Sequence, residues 1–215
     1  MRAALLALPL LIATSNVAAH DAEEGPALLY DLPAAGSYEL PGIDRVANHV
    51  LLGSDGSPAA LLELDKGTCA VVSFVYLSCT DAAGCPLSLA TLQRLDRALA
   101  KSPELGRRVR MATVSFDPGR DRPEQMARAR GHLAPRGDWR FLTAASPAQL
   151  RPVLEDFGQD AVPLFTDAGE RSGVMRHVVK VFLVDDAGTV RNIYSTGFLD
   201  HRILLRDIET LLRVE

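Results

Sequence analysis

Three cysteines, at positions 69, 79 and 85, are the side chains of this sequence most suited to chemistry, because a thiolate can attack a disulfide or bind a soft metal ion. Residues 69–78 form an uncharged run rich in β-branched and aromatic side chains, which predicts a strand buried on both faces. Such a strand places Cys69 about 33 Å from Cys79, whereas the Cα atoms of a disulfide lie about 5.5–6 Å apart. We therefore expect Cys69 to be a small buried apolar residue. Cys79 and Cys85 can meet, and we expect Gly84 to adopt the positive φ that turns the chain back.

Cys85 lies where a helix is expected to begin. Pro86 suits the first helical position, because its missing N–H would be unpaired there. The apolar positions that follow recur at helical spacing: Leu87, Leu89, Leu92, Leu95 and Leu99. The helix N-terminus is therefore predicted to favour the thiolate of Cys85, the reactive and metal-binding form. A disulfide between Cys79 and Cys85 that only fastens the loop is the alternative.

The segment after this helix predicts a β–α–β unit. A strand over residues 109–116 ends before Asp117, and Asp121 with Glu124 resembles a capping box that opens a helix to about residue 134. Crossovers of this kind place parallel strands side by side, so that the loops at their carboxyl ends share one edge of the sheet. We expect Cys79 and Asp117 to share that edge.

The second half of the chain predicts a hairpin between two helices. Ser146 with Gln149 marks a helix start before residues 150–157. Residues 178–184 and 190–195 predict two antiparallel strands joined by a turn. Asp200 is expected to cap an amphipathic last helix. Its apolar positions are Ile203, Leu204, Ile208, Leu211 and Leu212.

This order of elements predicts an α/β fold of the thioredoxin-like type, with a central mixed sheet flanked by helices. It runs from a strand with cysteines at its end through a helix and a second βα step to a hairpin and a closing helix. A flavodoxin-like, doubly wound sheet is the alternative. That sheet needs more parallel strands and leaves the antiparallel hairpin unexplained.

His177 is the histidine, out of five, that we expect near the cysteines. We predict that it begins the strand 178–184, and in a thioredoxin-like fold the loop entering that strand passes beside the cysteine site. Thiolates hold Cu(I) and an added imidazole accommodates Cu(II), so Cys79, Cys85 and His177 form a predicted site for a copper ion. A surface or hydrogen-bonded histidine is the alternative. Met175 could face the same way, but we expect it to fill the core.

Composition and the N-terminal segment indicate one exported domain. The 215 residues are 47% hydrophobic and carry a net charge of −4 without a basic run, which predicts a single compact domain and no nucleic-acid partner. Residues 1–19 combine a positive start, a short apolar run and small residues for cleavage, which predicts a signal peptide. We expect a lead-in over residues 20–45, a domain over 46–215, a periplasmic or otherwise exported location, and no transmembrane segment in the mature chain. An uncleaved anchor is the alternative; after cleavage, the N-terminal His20 could chelate Cu(II).

Four segments resemble the Sco/SenC family of copper-delivery proteins, over roughly residues 50 to 212. They are CTDAAGCP at 79–86, VSFDPGRDRP at 114–123, WRFLT at 139–143, and His177 ahead of VFLVD at 181–185. The resemblance implies a thioredoxin-like fold and a copper ion bound by Cys79, Cys85 and His177. It also implies a metallochaperone whose partner is a cuproprotein recipient, with the dinuclear copper centre of cytochrome c oxidase as the leading candidate. The family has three residues between the cysteines, whereas this chain has five, with Ala83 and Gly84 as the apparent insertion.

Two enzymatic functions compete with copper delivery. A thiol-disulfide oxidoreductase, reducing the cysteines of a target copper site, would use Cys79 and Cys85 as a catalytic, redox-active pair but would not need His177. Such enzymes carry a proline just before the strand that faces the cysteines, and the nearest one here is Pro163, which favours a metal site. A peroxiredoxin-like peroxidase is disfavoured, because the proline and threonine of that family are absent ahead of Cys79.

Overall fold

The structure is a computed structural model that describes residue 28 and residues 30–213. The predicted signal peptide and His20 lie outside the described residues. Within the described part of the chain, no helix combines the length and apolar character needed to cross a membrane. The described part of the predicted lead-in contains a turn at 35–38, and it is held to the C-terminal helix by a hydrogen bond from the Gly36 N–H to the Thr210 hydroxyl.

Strands and helices alternate along most of the described chain. The strands are β1 (Asp44–Arg45), β2 (Val50–Gly53), β3 (Pro58–Ala60), β4 (Cys69–Val75), β5 (Val109–Ser115), β6 (Trp139–Thr143), β7 (Ala161–Phe165), β8 (Arg171–His177), β9 (Lys180–Asp185) and β10 (Thr189–Ser195). The helices are α1 (Cys85–Ala100), α2 (Pro103–Gly106), α3 (Pro123–Leu133), α4 (Pro147–Asp156) and α5 (His201–Leu212).

The main sheet is mixed, with strand order β1-β10-β9-β4-β5-β6-β2-β3. Strands β4, β5 and β6 are parallel, whereas β9 pairs with β4, and β10 with β9, in antiparallel fashion. This arrangement confirms the predicted mixed sheet, and the flavodoxin-like alternative is wrong because an antiparallel strand lies directly beside β4. The parallel pairing of β4 with β5 also places the residues that follow both strands at one sheet edge, as expected for Cys79 and Asp117.

Two apolar layers cover the two faces of the sheet. On one face, α4 packs against an aromatic cluster in which the ring of Phe74 contacts those of Phe116, Phe157 and Phe182. On the other face, α1, α3 and α5 cover the alternate residues of the same strands, and Trp139 packs there. Each of the seven residues of β4 is buried, which confirms that its uncharged run is a strand enclosed on both sides.

Most of the predicted helix boundaries are confirmed. Helix α1 begins at Cys85, with Pro86 in its first turn. The Ser146 hydroxyl accepts from the N–H of Gln149 (3.3 Å), as expected for a cap of α4. The Asp200 carboxylate accepts from the N–H of Arg202 (2.8 Å) at the start of α5. The hairpin of β9 and β10 forms as predicted.

Two local predictions are wrong at the edge where the cysteines lie. Strand β4 ends at Val75 rather than at residue 78, and the chain turns directly after it. Asp121 does not cap α3, whose N-cap residue is Arg122 without a side-chain hydrogen bond. The buried Asp121 carboxylate instead accepts from the Leu77 N–H (3.0 Å) and the Ser115 hydroxyl (2.6 Å). A capping box joins residues that are close in sequence. Asp121 instead binds the N–H of Leu77, which follows the neighbouring strand β4.

The position of His177 in the fold also differs from the prediction. His177 ends β8, which pairs with β7 in a separate two-stranded sheet, and the next strand begins only at Lys180. This extra hairpin was not expected from the sequence. Pro163 interrupts the strand pattern of β7, and Gly173, with a φ of +85°, interrupts that of β8. Proline and glycine both weaken the sequence pattern of a strand, so β7 and β8 were not predicted.

Cys69→Ser should lower the free energy of unfolding by about 1–3 kcal/mol, because it buries a hydroxyl where a thiol now packs. The Cys69 side chain is fully enclosed, with 0% exposure, and burial raises its pKa to about 12. Urea unfolding of the two proteins measures the difference. Cys69→Ala is the matched control, since it removes the sulfur without adding a polar group. A Cys69→Ser protein as stable as the wild type would contradict the apolar role of this site.

Candidate metal centre

The cysteine loop is shaped by its own hydrogen bonds. After β4, the N–H of Cys79 donates to the Tyr76 carbonyl (3.1 Å). The carboxylate of Asp81 accepts from the N–H of Ala83 (3.0 Å), and its carbonyl accepts from the N–H of Gly84 (2.9 Å). These bonds close a compact turn directly before Cys85. The two cysteines therefore approach each other although five residues separate them.

Gly84 fits this turn because it has no Cβ. Its φ is −97°, so the predicted positive φ is wrong. A Cβ at this position would lie 3.1 Å from the Asp81 carbonyl oxygen and 3.3 Å from a carboxylate oxygen of the same residue. The close approach of the Asp81 backbone and side chain is what favours glycine here.

His177 reaches the cysteines from the end of β8. Its Nε2 atom lies 3.5 Å from the Cys85 Sγ atom, and its Nδ1 atom lies 3.1 Å from the Met175 carbonyl oxygen. A carbonyl only accepts hydrogen bonds, so Nδ1 carries the hydrogen and the lone pair of Nε2 faces the sulfur. This is the arrangement that orients metal-binding imidazoles in proteins. Met175 itself is buried in the core, as expected.

The three predicted ligand atoms come together in the structure. The Sγ atoms of Cys79 and Cys85 and a ring nitrogen of His177 all lie within 4.8 Å of one another. Among residue 28 and residues 30–213, no other group of three His, Cys, Asp or Glu side chains is close enough to hold an ion. Both cysteines are free thiols in this structure. Asp117 lies near this edge but forms long ion pairs with Arg120 and Arg171 (4.0 and 3.8 Å).

The two thiols differ in their readiness to ionise. Burial opposes ionisation of Cys79, but hydrogen bonds from the N–H of Cys85, the phenol of Tyr76 and the N–H of Asp81 outweigh it and lower the pKa. Burial raises the pKa of the Cys85 thiol to about 12. The prediction that the helix N-terminus activates Cys85 is therefore wrong. The N–H of Cys85 instead helps to lower the pKa of Cys79, which is also the more exposed of the two cysteines.

Two residues of the site were missed at the level of sequence. Tyr76 is 4% exposed and packs edge-on to the His177 ring, with 5.2 Å between centroids; burial and its hydrogen bond to Cys79 raise the pKa of its phenol. Asp121 holds the Leu77 N–H and so fixes the start of the cysteine loop. Burial raises the pKa of that carboxyl in spite of its hydrogen bonds. A buried tyrosine needs a partner for its hydroxyl, and that need was the available signal for Tyr76.

This donor set fits a soft or borderline metal ion. Two sulfur ligands and one neutral imidazole suit Cu(I), and the nitrogen extends the site to Cu(II). The fit rests on the fixed tautomer of His177 and on the N–H donors that already stabilise negative charge on the Cys79 sulfur. The same cysteines can also exchange electrons with a disulfide, because one is partly exposed and readily ionised while the other lies buried beside it.

Cys79 should react with iodoacetamide about tenfold faster than Cys85 or Cys69 in the native, reduced protein at neutral pH, because it is the more exposed and more acidic thiol. Peptide mass spectrometry after brief labelling measures the three rates. In the denatured chain all three cysteines should react alike, which is the control for intrinsic reactivity. Faster labelling of Cys85 would mean that the helix N-terminus outweighs its burial.

Comparison with known proteins agrees with this geometry. A model of the SCO1/SenC family matches residues 44–213. No curated protein sequence is a significant match. The structure of Bradyrhizobium japonicum ScoI with copper bound is 22% identical, with a TM-score of 0.61, covering 77% of this chain and 98% of that chain.

Two further solved structures are similar. The apo Sco1 protein from Thermus thermophilus is 25% identical, with a TM-score of 0.62, covering 82% of this chain and 95% of that chain. BsSco, described as a member of the Sco family of cytochrome c oxidase assembly proteins, is 23% identical, with a TM-score of 0.60, covering 80% of this chain and 95% of that chain. These likenesses confirm the thioredoxin-like fold. Because the family model spans most of the described residues, the chain belongs to the SCO1/SenC family.

Proposed function

We propose that this protein is a copper-binding metallochaperone that takes up a copper ion through Cys79, Cys85 and His177 and delivers it to a cuproenzyme. The observation that carries the proposal is the approach of two sulfurs and one imidazole nitrogen to within 4.8 Å. Membership of the SCO1/SenC family supports it, as does the copper bound in the structure of the similar Bradyrhizobium japonicum protein.

The three ligands differ in whether they must lose a proton when the copper ion binds. Both thiols must lose their protons to become ligands, so uptake of the ion releases protons. Cys79 ionises readily because hydrogen bonds to its sulfur lower its pKa, whereas Cys85 is buried and ionises only when a positive charge arrives. His177 needs no proton loss at Nε2, because its hydrogen is on Nδ1. The more exposed Cys79 is the ligand through which an incoming thiolate would take the ion away.

For the recipient, we propose the dinuclear copper centre of cytochrome c oxidase. The support is the family itself and the description of the similar protein BsSco as a member of a family of oxidase assembly proteins. The chain's five-residue loop between the cysteines makes residues 80–83 an exposed part of the rim. A recipient would meet this loop first.

We also propose export, as residues 1–19 indicate. The mature protein in the periplasmic fraction should begin at His20, because the small residues at 17–19 suit cleavage there. Its intact mass and N-terminal sequence provide the measurement. A chain that keeps residues 1–19 and stays in the cytoplasm would contradict export.

A second function, reduction of the disulfide of a target copper site, is supported by the contrast between the two thiols. The Cys79 thiolate would attack the target disulfide, form a mixed disulfide and release one target thiolate. Cys85, after its proton passes to the released target thiolate, would attack the Cys79 sulfur and release the second target thiolate. The target would gain two electrons, and the chain would end with a disulfide between Cys79 and Cys85.

His177→Ala should separate the two functions. Mutating a residue that only hydrogen-bonds to a metal ligand costs about 10–100-fold in metal affinity. Loss of the nitrogen ligand itself should therefore lower the Cu(II) affinity at least about 100-fold. Cu(I) should stay bound to the two thiolates. The first step of disulfide reduction should change little, since the Cys79 thiolate attacks the target disulfide without the imidazole. Visible absorption measures Cu(II), a competing chelator measures Cu(I), and a model disulfide measures reduction.

His132→Ala is the matched control, because His132 is an exposed histidine on α3. Wild-type protein oxidised to the Cys79–Cys85 disulfide should bind no Cu(I), since no thiolate remains. Unchanged Cu(II) binding in His177→Ala would remove His177 from the site. A wild type that binds no copper and reduces disulfides rapidly would replace the first function with the second.

A further inference from the structure

The strand that carries His177 lies outside the main sheet. His177 ends β8, which pairs with β7 in a separate two-stranded sheet. Of the seven residues of β8, only Met175 is buried, and the others are exposed or half-buried. Strand pairing therefore fixes His177 relative to β7, but it does not fix the imidazole relative to the cysteines, which follow β4 of the main sheet.

Two aromatic rings from the edge of the main sheet contact the imidazole. The ring centroid of Tyr76 lies 5.2 Å from that of His177, with 87° between the planes. The centroid of Phe116 lies 5.5 Å from it, with 61° between the planes. Both distances are within the range of about 4.5–7 Å that is typical of favourable ring contacts. The two residues are only 4% and 3% exposed, so their rings form a buried aromatic socket for the imidazole.

Phe116 is itself held by the main sheet. It directly follows β5, and its N–H donates to the carbonyl of Val75, the last residue of β4 (2.7 Å). Its ring stacks on that of Phe74, with 5.7 Å between centroids and 27° between planes. Phe74 belongs to β4, whose seven residues are all buried. Packed rings therefore connect this enclosed strand to the imidazole.

We propose that Phe116 is a positioning residue for Cu(II), because its ring, together with that of Tyr76, holds the imidazole of His177 beside the sulfurs before the ion arrives. This inference rests on the proposed copper-binding function. The Met175 carbonyl fixes the tautomer of the imidazole, and the aromatic socket fixes the position of its ring. Phe116 acts on the ion only through the imidazole, since a phenyl ring has no ligand atom.

The physical reason is the freedom that a ligand loses when it binds an ion. A side chain that the protein already holds in place loses little freedom on binding, whereas a loose side chain must be ordered at the expense of affinity. Cu(II) favours a nitrogen ligand, while two thiolates suffice for Cu(I). The aromatic socket should therefore raise the affinity for Cu(II) and have little effect on the affinity for Cu(I).

Phe116→Leu tests this role, because it removes the aromatic ring and leaves an apolar side chain in the core. Residues that orient a metal ligand contribute about 10–100-fold to metal affinity, so we expect the Cu(II) affinity to fall about tenfold and the Cu(I) affinity to change less than about twofold. The absorption band for charge transfer from sulfur to Cu(II) should broaden, because the imidazole then occupies several positions. Visible absorption measures Cu(II) and a competing chelator measures Cu(I), both on the full chain.

A double-mutant cycle shows whether the effect passes through the imidazole. In a chain that already carries His177→Ala, Phe116→Leu should not lower the Cu(II) affinity further, because no imidazole remains to be positioned. A change that only weakened the fold would add its loss to that of His177→Ala. Additive losses would therefore overturn the inference.

Phe141→Leu is the matched control. Phe141 is a phenylalanine of β6 with 1% exposure, and it packs on the ring of Trp139 at the opposite face of the main sheet. It should lower the temperature of thermal unfolding of the metal-free protein, as Phe116→Leu does, but leave the Cu(II) affinity unchanged. An equal loss of Cu(II) affinity in Phe141→Leu would mean that general loss of stability explains the effect.

Thermal unfolding of the metal-free protein also reports whether Phe116→Leu folds. If it does not fold, Phe116→Met removes the same ring with a flexible side chain that fills irregular gaps in a core. The same affinities and the same result of the double-mutant cycle are expected of Phe116→Met, and the same outcomes would contradict the inference.

The remaining outcomes are distinct. If the wild type binds copper and Phe116→Leu keeps its Cu(II) affinity, the inference is wrong while the copper function stands. If Phe116→Leu weakens Cu(I) and Cu(II) equally, Phe116 only supports the cysteine loop, and the inference is again wrong. If the wild type binds no copper, the proposed function fails and the inference fails with it.

Discussion

The complete burial of strand β4 (Cys69–Val75) is the constraint on which the rest of the structure depends. All seven of its residues are enclosed, so its backbone groups must pair with strands on both sides. They do so with β5 in parallel and β9 in antiparallel fashion. The chain can leave this enclosure only at the end of the strand, where Tyr76 begins the turn. The ligands therefore collect at that edge, beside the loop that follows β5 and the hairpin that carries His177.

At that edge, burial outweighs the helix dipole in deciding which thiol ionises. A helix N-terminus favours a nearby anion by about 0.3–1 kcal/mol. Full burial shifts a pKa by up to about 3–5 units, at about 1.4 kcal/mol per unit. Cys85, inside the protein at the first turn of α1, therefore resists ionisation, and the N–H of that turn stabilises Cys79 instead. This asymmetry suits a carrier, because the ion is anchored at a buried ligand and accessible at the other.

The sequence predicted the elements that have strong periodicity and failed where distant residues decide. The cap of α5 at Asp200 and the helix that begins at Cys85 follow from local patterns, and both are present. His177 was expected among the ligands and lies there, but on a hairpin that Pro163 and Gly173 concealed. Asp121 was expected to cap a helix, yet a buried carboxyl binds whichever donors surround it, and these come from two other segments of the chain. No local pattern contains that information.

The longer loop between the cysteines shows how an insertion can leave a metal site in place. Doubling a loop costs only about 0.6 kcal/mol of closure entropy, so what matters is where the added residues go. Asp81 binds the N–H groups of Ala83 and Gly84, and this turn absorbs the extra length before Cys85. The N–H of Asp81 also helps to lower the pKa of the Cys79 thiol. The insertion therefore changes the exposed rim, where a recipient would dock, while the two sulfurs remain beside His177.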